Sequence, residues 1–536
     1  MKAVQWAASA IAALSLLAGS YATDVDPIVI KGSHFFYKTN GTEFFIQGVA
    51  YQANPATSNS NSSYVDPLTD PVGCQRDIPL LKELNTNVVR VYAINPDEDH
   101  SECMSMLADA GIYLIADLSQ PSQSINRVSP EWNTDLYSRY TSVIDSLANY
   151  TNVLGFFAGN EVTNSNLTTG ASVFVKAAVR DMKAYIKQKN YRAIPVGYAA
   201  DDDQYIREQI STYFDCGTDD ERVDFYGLNI YEWCGNSNFV ESGYADRTAD
   251  FSKFDIPVFF SEYGCNTVQP REFTDVPTLF GPQMTTVWSG GIIYMYFEDV
   301  NNYGLVTLSG SSVSKLPDFT AYSSQMAKIS PSLTNAADYT PTNTVNQPCP
   351  TLNASWEAAT NLPPTPNQAL CSCMTPTLQC VPKADLTADD VGNLLGIVCG
   401  LSNTACQGID TNSTTGVYGM YSPCDASDRL AWAINAYYQE QNSEGNGASA
   451  CDFSGSATLQ KSASPTGTCV QLLNAASSSA ASAASARATG GGSGGATSKG
   501  AAPGRLSWQT FGVSNAVQTG LYSVAAVAAG LLMVLL

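Results

Sequence analysis

Two glutamates stand at the ends of apolar, β-rich runs. Glu161 closes VLGFFAGNE, and Glu262 follows IPVFFS. An apolar neighbourhood desolvates a carboxyl group and alters its pKa. Each glutamate alone could be a solvated loop carboxylate, but a facing pair can cleave a glycosidic bond. One carboxyl protonates the leaving oxygen and the other attacks or stabilises the anomeric carbon, with a separation of about 5–5.5 Å for retention and about 6.5–9.5 Å for inversion.

Polar and aromatic side chains near the ends of similar runs complete the predicted site. Arg90 and Tyr92 share a strand face, so Arg90 lies beneath Tyr92 and could hold a glutamate ionised, although a structural ion pair is the competing interpretation. Tyrosine rings stack on sugar C–H groups, or alternatively fill a barrel interior. Asn160 is placed to bond a sugar 2-hydroxyl. The predicted substrate-binding residues are Arg90, Tyr92, Asp117, Asn160, Tyr231, Tyr294 and Tyr296, with Asn229 and Trp233 on the strand face of Tyr231.

The composition excludes several other functions. The 536-residue chain carries 27 Lys and Arg against 49 Asp and Glu, for a formal charge of −22. This balance disfavours nucleic acid and anionic membrane surfaces as partners. His34 and His100 are the only histidines, which excludes a His-ligated metal cluster and disfavours a Ser–His–Asp triad. We therefore expect no metal and no cofactor, and carboxylates must carry the acid and base chemistry.

The elements that must position these residues form a βα repeat. Helical periodicity at residues 74–84, 135–149 and 171–187 separates near-continuous apolar strands, as buried parallel sheets require. The eight predicted strands are residues 44–52, 88–94, 112–118, 153–161, 193–199, 223–233, 256–264 and 291–299. Their number favours a closed (β/α)8 TIM barrel, in which reactive groups gather at the carboxyl ends of the strands.

The remaining chain divides by composition. Eight of the fourteen cysteines follow Pro350, and helical patterns cover residues 389–400 and 428–440. This density predicts a small disulfide-rich, mainly helical module whose eight cysteines allow 105 pairings. The predicted domains are a signal peptide (1–22), the barrel (23–340), a linker or strap (341–368), the module (369–470), a Ser/Ala/Gly-rich linker (471–510) and a GPI-attachment signal (511–536).

Both termini predict a secreted, lipid-anchored protein. The first 22 residues combine Lys2, an apolar stretch and a small-x-small cleavage signature. The charge-free stretch 521–536 follows a polar spacer, as in a GPI signal, with Gly500 as the attachment residue or else Ser514 or Asn515. Secretion also agrees with glycosylation sequons at Asn40, Asn61, Asn149, Asn166, Asn353 and Asn412.

The text around the two glutamates resembles one family. GVAYQ, NVVRVYAI, YLIADL, FFAGNEV, DFYGLNIYEWCG, FFSEYGCN and YMYFEDVNNYGLV, spread over residues 26–350, are similar to the fungal family-72 glycoside hydrolases, the GPI-anchored β-1,3-glucanosyltransferases of the cell wall. The cysteine-dense segment with CSCM resembles the family-43 carbohydrate-binding module of one branch of that family.

The resemblance implies a reaction and roles. Glu161 would be the acid/base and Glu262 the nucleophile, bonded by Tyr231, while a β-1,3-glucan is cut internally and its new reducing end is passed to the non-reducing end of another glucan. Tyr92, Asp117, Asn160, Tyr231 and Tyr294 match positions that line the donor and acceptor sites. The implied barrel disulfides pair Cys74 with Cys103, Cys216 with Cys349 and Cys234 with Cys265, and Cys371 and Cys424 are predicted disulfide cysteines of the module.

Alternatives remain at this point. A retaining endo-β-1,3-glucanase uses the same two glutamates, and a non-catalytic wall-binding protein could keep the barrel as a scaffold. The module could bind glucan or serve as a structural cap. We expect β-1,3-glucan as donor and acceptor, no nucleic-acid partner, membrane contact only through the lipid anchor, and a monomer at the outer face of the cell membrane and in the cell wall.

Overall fold

The fold is known for two stretches of the chain. The computed structural model describes residues 25–53 and 64–489. The predicted signal peptide, the sequon at Asn61, the attachment residue Gly500 and the segment 511–536 lie outside the described residues.

Eight parallel strands close into a barrel in the order β10-β3-β4-β5-β6-β7-β8-β9, which confirms the predicted (β/α)8 fold. The described strands are β1 (Ile28–Lys31), β2 (His34–Tyr37), β3 (Ile46–Ala50), β4 (Val88–Val91), β5 (Tyr113–Asp117), β6 (Val153–Asn160), β7 (Val196–Asp201), β8 (Tyr226–Asn229), β9 (Val258–Tyr263), β10 (Trp288–Ile293), β11 (Val306–Ser309), β12 (Ser312–Lys315), β13 (Cys380–Pro382), β14 (Thr411–Asn412), β15 (Val417–Tyr418) and β16 (Ala457–Leu459). Each of the eight predicted runs overlaps a barrel strand, although β7 ends two residues after its run and β10 begins three residues before its run. The strands are shorter than the runs because the chain turns into loops at the barrel mouth.

Helices follow most of the barrel strands and form the C-terminal module. In chain order they are α1 (Pro71–Glu83), α2 (Ser101–Asp109), α3 (Thr134–Leu147), α4 (Ser172–Gln188), α5 (Arg207–Asp215), α6 (Tyr244–Phe251), α7 (Val276–Leu279), α8 (Pro317–Met326), α9 (Gln368–Met374), α10 (Ala388–Leu401), α11 (Asn403–Cys406), α12 (Ala426–Ser443) and α13 (Thr468–Thr489). Among the helices of the described chain, none has the length and apolarity that a bilayer span requires.

Aromatic rings fill the lower half of the barrel. Phe157 of β6 lies 5.3 Å from Phe225, and Phe225 lies 5.7 Å from Phe259 of β9, measured between ring centroids. Glycines make the room, since a Cβ on Gly197 would lie 2.3 Å from the ring of Phe225. The hairpin of β1 and β2, which the sequence pattern did not predict, closes this end with Phe35 against Phe225 and Phe259. The polar site is thus confined to the opposite end.

The C-terminal module has its own apolar core and packs on the barrel. Four disulfides staple it: Cys371–Cys424, Cys373–Cys469, Cys380–Cys451 and Cys399–Cys406. At the junction, the N–H of Thr134 donates to the carbonyl of Pro423 over 2.9 Å, and Arg429 forms an ion pair with Glu131. The module therefore contacts the barrel at the start of α3.

The segment between barrel and module lies on the barrel as a strap. Trp356 is fully buried, with its ring 5.3 Å from that of Tyr213. Cys349 in this segment pairs with Cys216, and the barrel also contains the disulfides Cys74–Cys103 and Cys234–Cys265.

Two surface features complete the description. The predicted linker begins as helix α13, which extends to Thr489, because Ala has the highest helix propensity and no glycine interrupts this stretch. The described sequon asparagines are all exposed: Asn40, Asn149, Asn166, Asn353 and Asn412.

Candidate active site

The two glutamates lie at the same mouth of the barrel. Glu161 directly follows β6, and Glu262 is the fifth residue of β9. Each follows an irregularity in strand pairing: Asn160 opposes Ala199 after a register shift in β6, and Asn229 opposes Glu262 after a shift between β8 and β9. Such irregularities re-aim side chains beside active sites. The two irregularities in strand pairing bring both carboxyl groups to the mouth of the barrel.

Arg90 of β4 lies beneath the mouth and is fully buried. Its Nε and Nη2 donate to the two carboxylate oxygens of Asp117 over 3.1 and 3.0 Å. Burial alone would lower the pKa of Arg90, but the nearby carboxylates of Asp117 and Glu262 and the Tyr92 hydroxyl raise it above its ordinary value. Arg90 is therefore a permanent cation in the floor of the site.

Glu262 receives donors on both carboxylate oxygens. Arg90 Nη1 and Tyr92 Oη donate to Oε1 over 3.2 and 2.8 Å, and Tyr231 Oη donates to Oε2 over 2.8 Å. Burial raises the pKa of Glu262 to about 7, and the charge of Glu161 raises it too, while Arg90 and the two tyrosines oppose the shift. The three donors fix the orientation of the carboxylate.

Glu161 is held by its backbone as well as its side chain. Its φ of +46° lies in the left-handed region, which costs a non-glycine residue about 1–3 kcal/mol and is typical of functional sites. The N–H of Glu161 donates to the carbonyl of Ala199 over 2.9 Å, and Arg127 donates to the Glu161 carbonyl over 2.8 Å. The side-chain Oε1 accepts a hydrogen bond from Asn229 Nδ2 over 2.7 Å.

A hydrogen-bonded chain connects the two glutamates. Arg90 Nη2 donates to Asn160 Oδ1 over 2.9 Å, and the same oxygen accepts from Asn229 Nδ2 over 3.0 Å. Because Oδ1 of Asn160 already accepts from Arg90 and Asn229, the Asn160 amide nitrogen is the group left to bond a sugar hydroxyl. The sequence had placed Asn229 on the strand face of Tyr231 but not among the substrate-binding residues.

Tyrosines form one wall of the mouth. The ring centroids of Tyr92 and Tyr294 lie 6.3 Å apart, and Tyr303 lies 5.7 Å from Tyr231 and 5.3 Å from Tyr294. Tyr303 was missed because it follows the last barrel strand, where strand alternation makes no prediction, although it lies within the quoted NNYG motif. The rings present a surface suited to stacking on sugars.

Gln52, which follows β3, is a second residue that the sequence pattern missed. Its Oε1 accepts hydrogen bonds from the backbone N–H groups of Tyr92 and Ala93 over 3.0 and 3.1 Å. These bonds fix the backbone that carries the Tyr92 ring. A polar residue two positions after a barrel strand was the available signal.

Three of the predicted substrate-binding residues, Arg90, Asp117 and Tyr296, are almost completely buried. Tyr296 is fully buried outside the barrel interior, where its hydroxyl donates to Asp77 of α1 over 3.0 Å. The prediction for Tyr296 was wrong because β10 ends at Ile293, and the alternation that still holds for Tyr294 is lost two residues later. Arg90 and Asp117 are covered by the site and act through the residues above them. Trp233 likewise packs against Tyr244.

No metal site accompanies these residues. Across residues 25–53 and 64–489, no group of three or more His, Cys, Asp or Glu side chains is arranged to hold an ion.

Similarity to known proteins covers both halves of the chain. Residues 17–330 match the family model described as Glucanosyltransferase, and residues 378–458 match the X8 domain. A 1,3-beta-glucanosyltransferase of Arthroderma benhamiae is 54% identical over 486 residues, which cover 87% of this chain and 89% of the relative. The 1,3-beta-glucanosyltransferase gas1 of Schizosaccharomyces pombe is 49% identical over 468 residues, with coverages of 87% and 84%.

Solved structures share the fold. A glutamate-to-glutamine variant of Saccharomyces cerevisiae Gas2p, in complex with laminaritetraose and laminaripentaose, matches with a TM-score of 0.74 and 39% identity over 84% of this chain and 98% of that one. The apo structure of that variant matches with a TM-score of 0.75 at 39% identity, with coverages of 85% and 98%.

Proposed function

The chain belongs to the glucanosyltransferase family of glycoside hydrolases, and we propose that it elongates β-1,3-glucan by a retaining transfer in which Glu262 is the nucleophile and Glu161 the acid/base. The proposal rests on the difference in burial and in hydrogen-bond donors between the two carboxyl groups. Glu262 is buried and receives three donors, whereas Glu161 is partly exposed and receives one side-chain donor. A nucleophile must be oriented, and an acid/base must reach a leaving group.

The first step forms a glycosyl-enzyme. Glu262 attacks the anomeric carbon of an internal glucan residue while Glu161 gives its proton to the glycosidic oxygen, so the C1–O bond breaks and the reducing-side fragment leaves. Arg90, Tyr92 and Tyr231 hold Glu262 in place as its carboxylate becomes a neutral ester, and Glu161 is left as the carboxylate. Asn160 Nδ2 bonds the sugar 2-hydroxyl, an interaction that strengthens as C1 becomes cationic.

The second step passes the held chain to another glucan. The 3-hydroxyl at the non-reducing end of an acceptor gives its proton to Glu161 and attacks C1, which releases Glu262 and restores the β-linkage. The acceptor must outcompete water at about 55 M, and groups held in line reach effective molarities of about 10⁵ M or more. Tyrosine rings that stack on the acceptor supply such positioning.

Product length tests this function. Incubation with a reduced laminari-oligosaccharide should yield products longer than the substrate, because a reduced end blocks chemistry at the reducing terminus but leaves acceptor ends free. Products that are only shorter would establish an endo-β-1,3-glucanase instead. Unchanged function after Glu161→Gln and Glu262→Gln would establish a non-catalytic glucan-binding scaffold.

Location and oligomeric state complete the proposal. The protein acts as a monomer on wall glucan at the outer face of the cell membrane, where a GPI anchor attached at Gly500 holds it, and the module either binds glucan or supports the barrel as a structural cap. The terminal sequence patterns and the X8 match support this assignment. A phosphatidylinositol-specific phospholipase should release the protein from membranes, and retention after treatment would contradict the anchor.

A further inference from the structure

Ser261 is a buried hydroxyl directly before the nucleophile. Its Oγ lies 2.7 Å from Asn229 Oδ1, and its side chain is fully buried. Leu228 opposes Phe260 across the sheet and Asn229 opposes Glu262, so Ser261 is the extra residue of a bulge in β9. A Cβ on Gly227 would lie 2.5 Å from Ser261 Oγ, so the neighbouring strand leaves room for the inward side chain.

The orientation of the Asn229 amide follows from Arg90. A guanidinium group only donates hydrogen bonds, so the atom of Asn160 that faces Arg90 Nη2 is its oxygen. That oxygen must in turn receive a donor from Asn229, so the amide nitrogen of Asn229 faces it at 3.0 Å. The same nitrogen donates to Glu161 Oε1. The oxygen of Asn229 is thereby turned to Ser261, whose hydroxyl donates to it.

This orientation decides which oxygen of Glu161 carries the proton. Oε1 accepts from Asn229, so the proton needed for the leaving group resides on Oε2. If the amide were turned by 180°, its oxygen would face Glu161, and a protonated Glu161 would give its hydrogen bond to Asn229 instead of the glycosidic oxygen. The turned amide would also place two oxygens, those of Asn160 and Asn229, against each other.

We infer that Ser261 is a positioning residue whose hydroxyl holds the Asn229 amide in the orientation that Arg90 and Asn160 set and, through it, helps to keep the proton of Glu161 on the oxygen that faces the leaving group. The inference rests on the proposed function, since it assigns the acid/base role to Glu161. Ser261 touches neither substrate nor the reacting atoms, so its effect passes through Asn229. A substitution at Ser261 should therefore change kcat, and only in a chain that still has Asn229.

A double-mutant cycle on the full chain tests the inference. Rates with a reduced laminari-oligosaccharide are measured for Ser261→Ala, Asn229→Ala and the double variant. Ser261→Ala should lower kcat about ten-fold with KM unchanged, since one neutral hydrogen bond is lost. Asn229→Ala should lower kcat about 100-fold, and the double variant should be no slower than Asn229→Ala. Ser211→Ala, which removes a buried hydroxyl from α5, should leave kcat unchanged.

Ser261→Cys fills the site with a slightly larger side chain that supplies only a weak donor, so it should reproduce the kcat loss of Ser261→Ala. An unchanged kcat in both Ser261 variants, or a double variant about 1,000-fold slower than the parent, would overturn the inference. If the proposed function failed, the unsubstituted chain itself would form no products longer than the substrate. If it only shortened the substrate, the same kcat comparison would apply to hydrolysis, which uses the same proton.

Discussion

At the scale of single residues, the site depends on the two tyrosine hydroxyls and the guanidinium that hold Glu262. All three favour its ionised form against a burial that raises its pKa to about 7. In the proposed mechanism Glu262 attacks only as the carboxylate, so activity should fall as the pH drops through the pKa of Glu262 in the free enzyme. The acid limb of kcat/KM therefore reports this group.

Tyr231→Phe should move that acid limb to higher pH by about one unit and lower kcat about 10- to 100-fold, since one charge-assisted hydrogen bond is removed. Loss of the Tyr231 donor raises the pKa of Glu262, so the carboxylate becomes protonated sooner as the pH falls. The pH profile of kcat/KM measures the shift. Tyr191→Phe, which removes a tyrosine–carboxylate bond to Asp145 outside the barrel, serves as the control and should leave the profile unchanged. An acid limb that stays in place in Tyr231→Phe would contradict the assignment.

Much of the site was predictable at this scale because strand ends and alternation are properties of the sequence. Alternation placed Arg90 beneath Tyr92 and Asn229 beside Tyr231. It failed for Tyr296, where the strand had already ended, and it gave no signal for Ser261, because a bulge adds one residue to the period. Hydrogen bonds such as those of Gln52 depend on loop geometry, which the two-residue alternation of strand side chains does not predict.

At the scale of elements, closure of the barrel depends on how closely β10 approaches β3. Gly290 of β10 has a φ of +95°, and a Cβ there would lie 2.2 Å from the carbonyl oxygen of Ile46. No rearrangement of a flexible side chain relieves this contact, because the obstacle is backbone. The glycine is thus required by both conformation and space.

Gly290→Ala should lower the free energy of unfolding by about 3 kcal/mol or more, combining backbone strain with overpacking. Gly310, in the turn between β11 and β12, has a φ of +60° and open space around a built Cβ. Gly310→Ala should therefore cost only about 1 kcal/mol, the conformational part alone. Urea denaturation of both variants compares them. Equal losses in the two variants would show that the β10–β3 contact adds nothing.

Element boundaries were harder to predict than element types. The apolar runs identified every barrel strand but overran most of their ends, because loop residues at the mouth are also aromatic or apolar. The hairpin of β1 and β2 was not predicted because its two short strands follow each other without the intervening helix of the βα repeat. The Ser/Ala-rich stretch reads as a linker by composition, yet alanine favours the helix α13 when no glycine interrupts it.

At the scale of the whole molecule, disulfides link segments that are distant in sequence. Cys216–Cys349 ties the strap to the barrel across 133 residues, whereas Cys399–Cys406 closes only 7 residues of the module. In the chain-entropy account, a longer closed loop restricts the unfolded chain more. The Cys216–Cys349 disulfide is thus the main covalent constraint on the strap that connects the barrel to the module.

Replacing Cys216 and Cys349 together by serine should lower the free energy of unfolding by about 5 kcal/mol, against about 2 kcal/mol for the same change at Cys399 and Cys406. Urea denaturation with intrinsic tryptophan fluorescence follows both transitions, since Trp356 of the strap is buried against the barrel. A larger loss at the short bridge would contradict the entropic explanation.

The central claim is that Glu262 forms a covalent bond to the glucan while Glu161 moves the proton. Its most direct test is mass spectrometry of the Glu161→Gln variant after incubation with a laminari-oligosaccharide that carries fluorine at C2 and a fluoride leaving group at C1. Such a donor needs no acid for its first step, and fluorine slows the second. The account predicts a glycosyl adduct on the peptide that contains Glu262 and no adduct in Glu262→Gln. An adduct on another residue, or none while the donor is consumed, would contradict it.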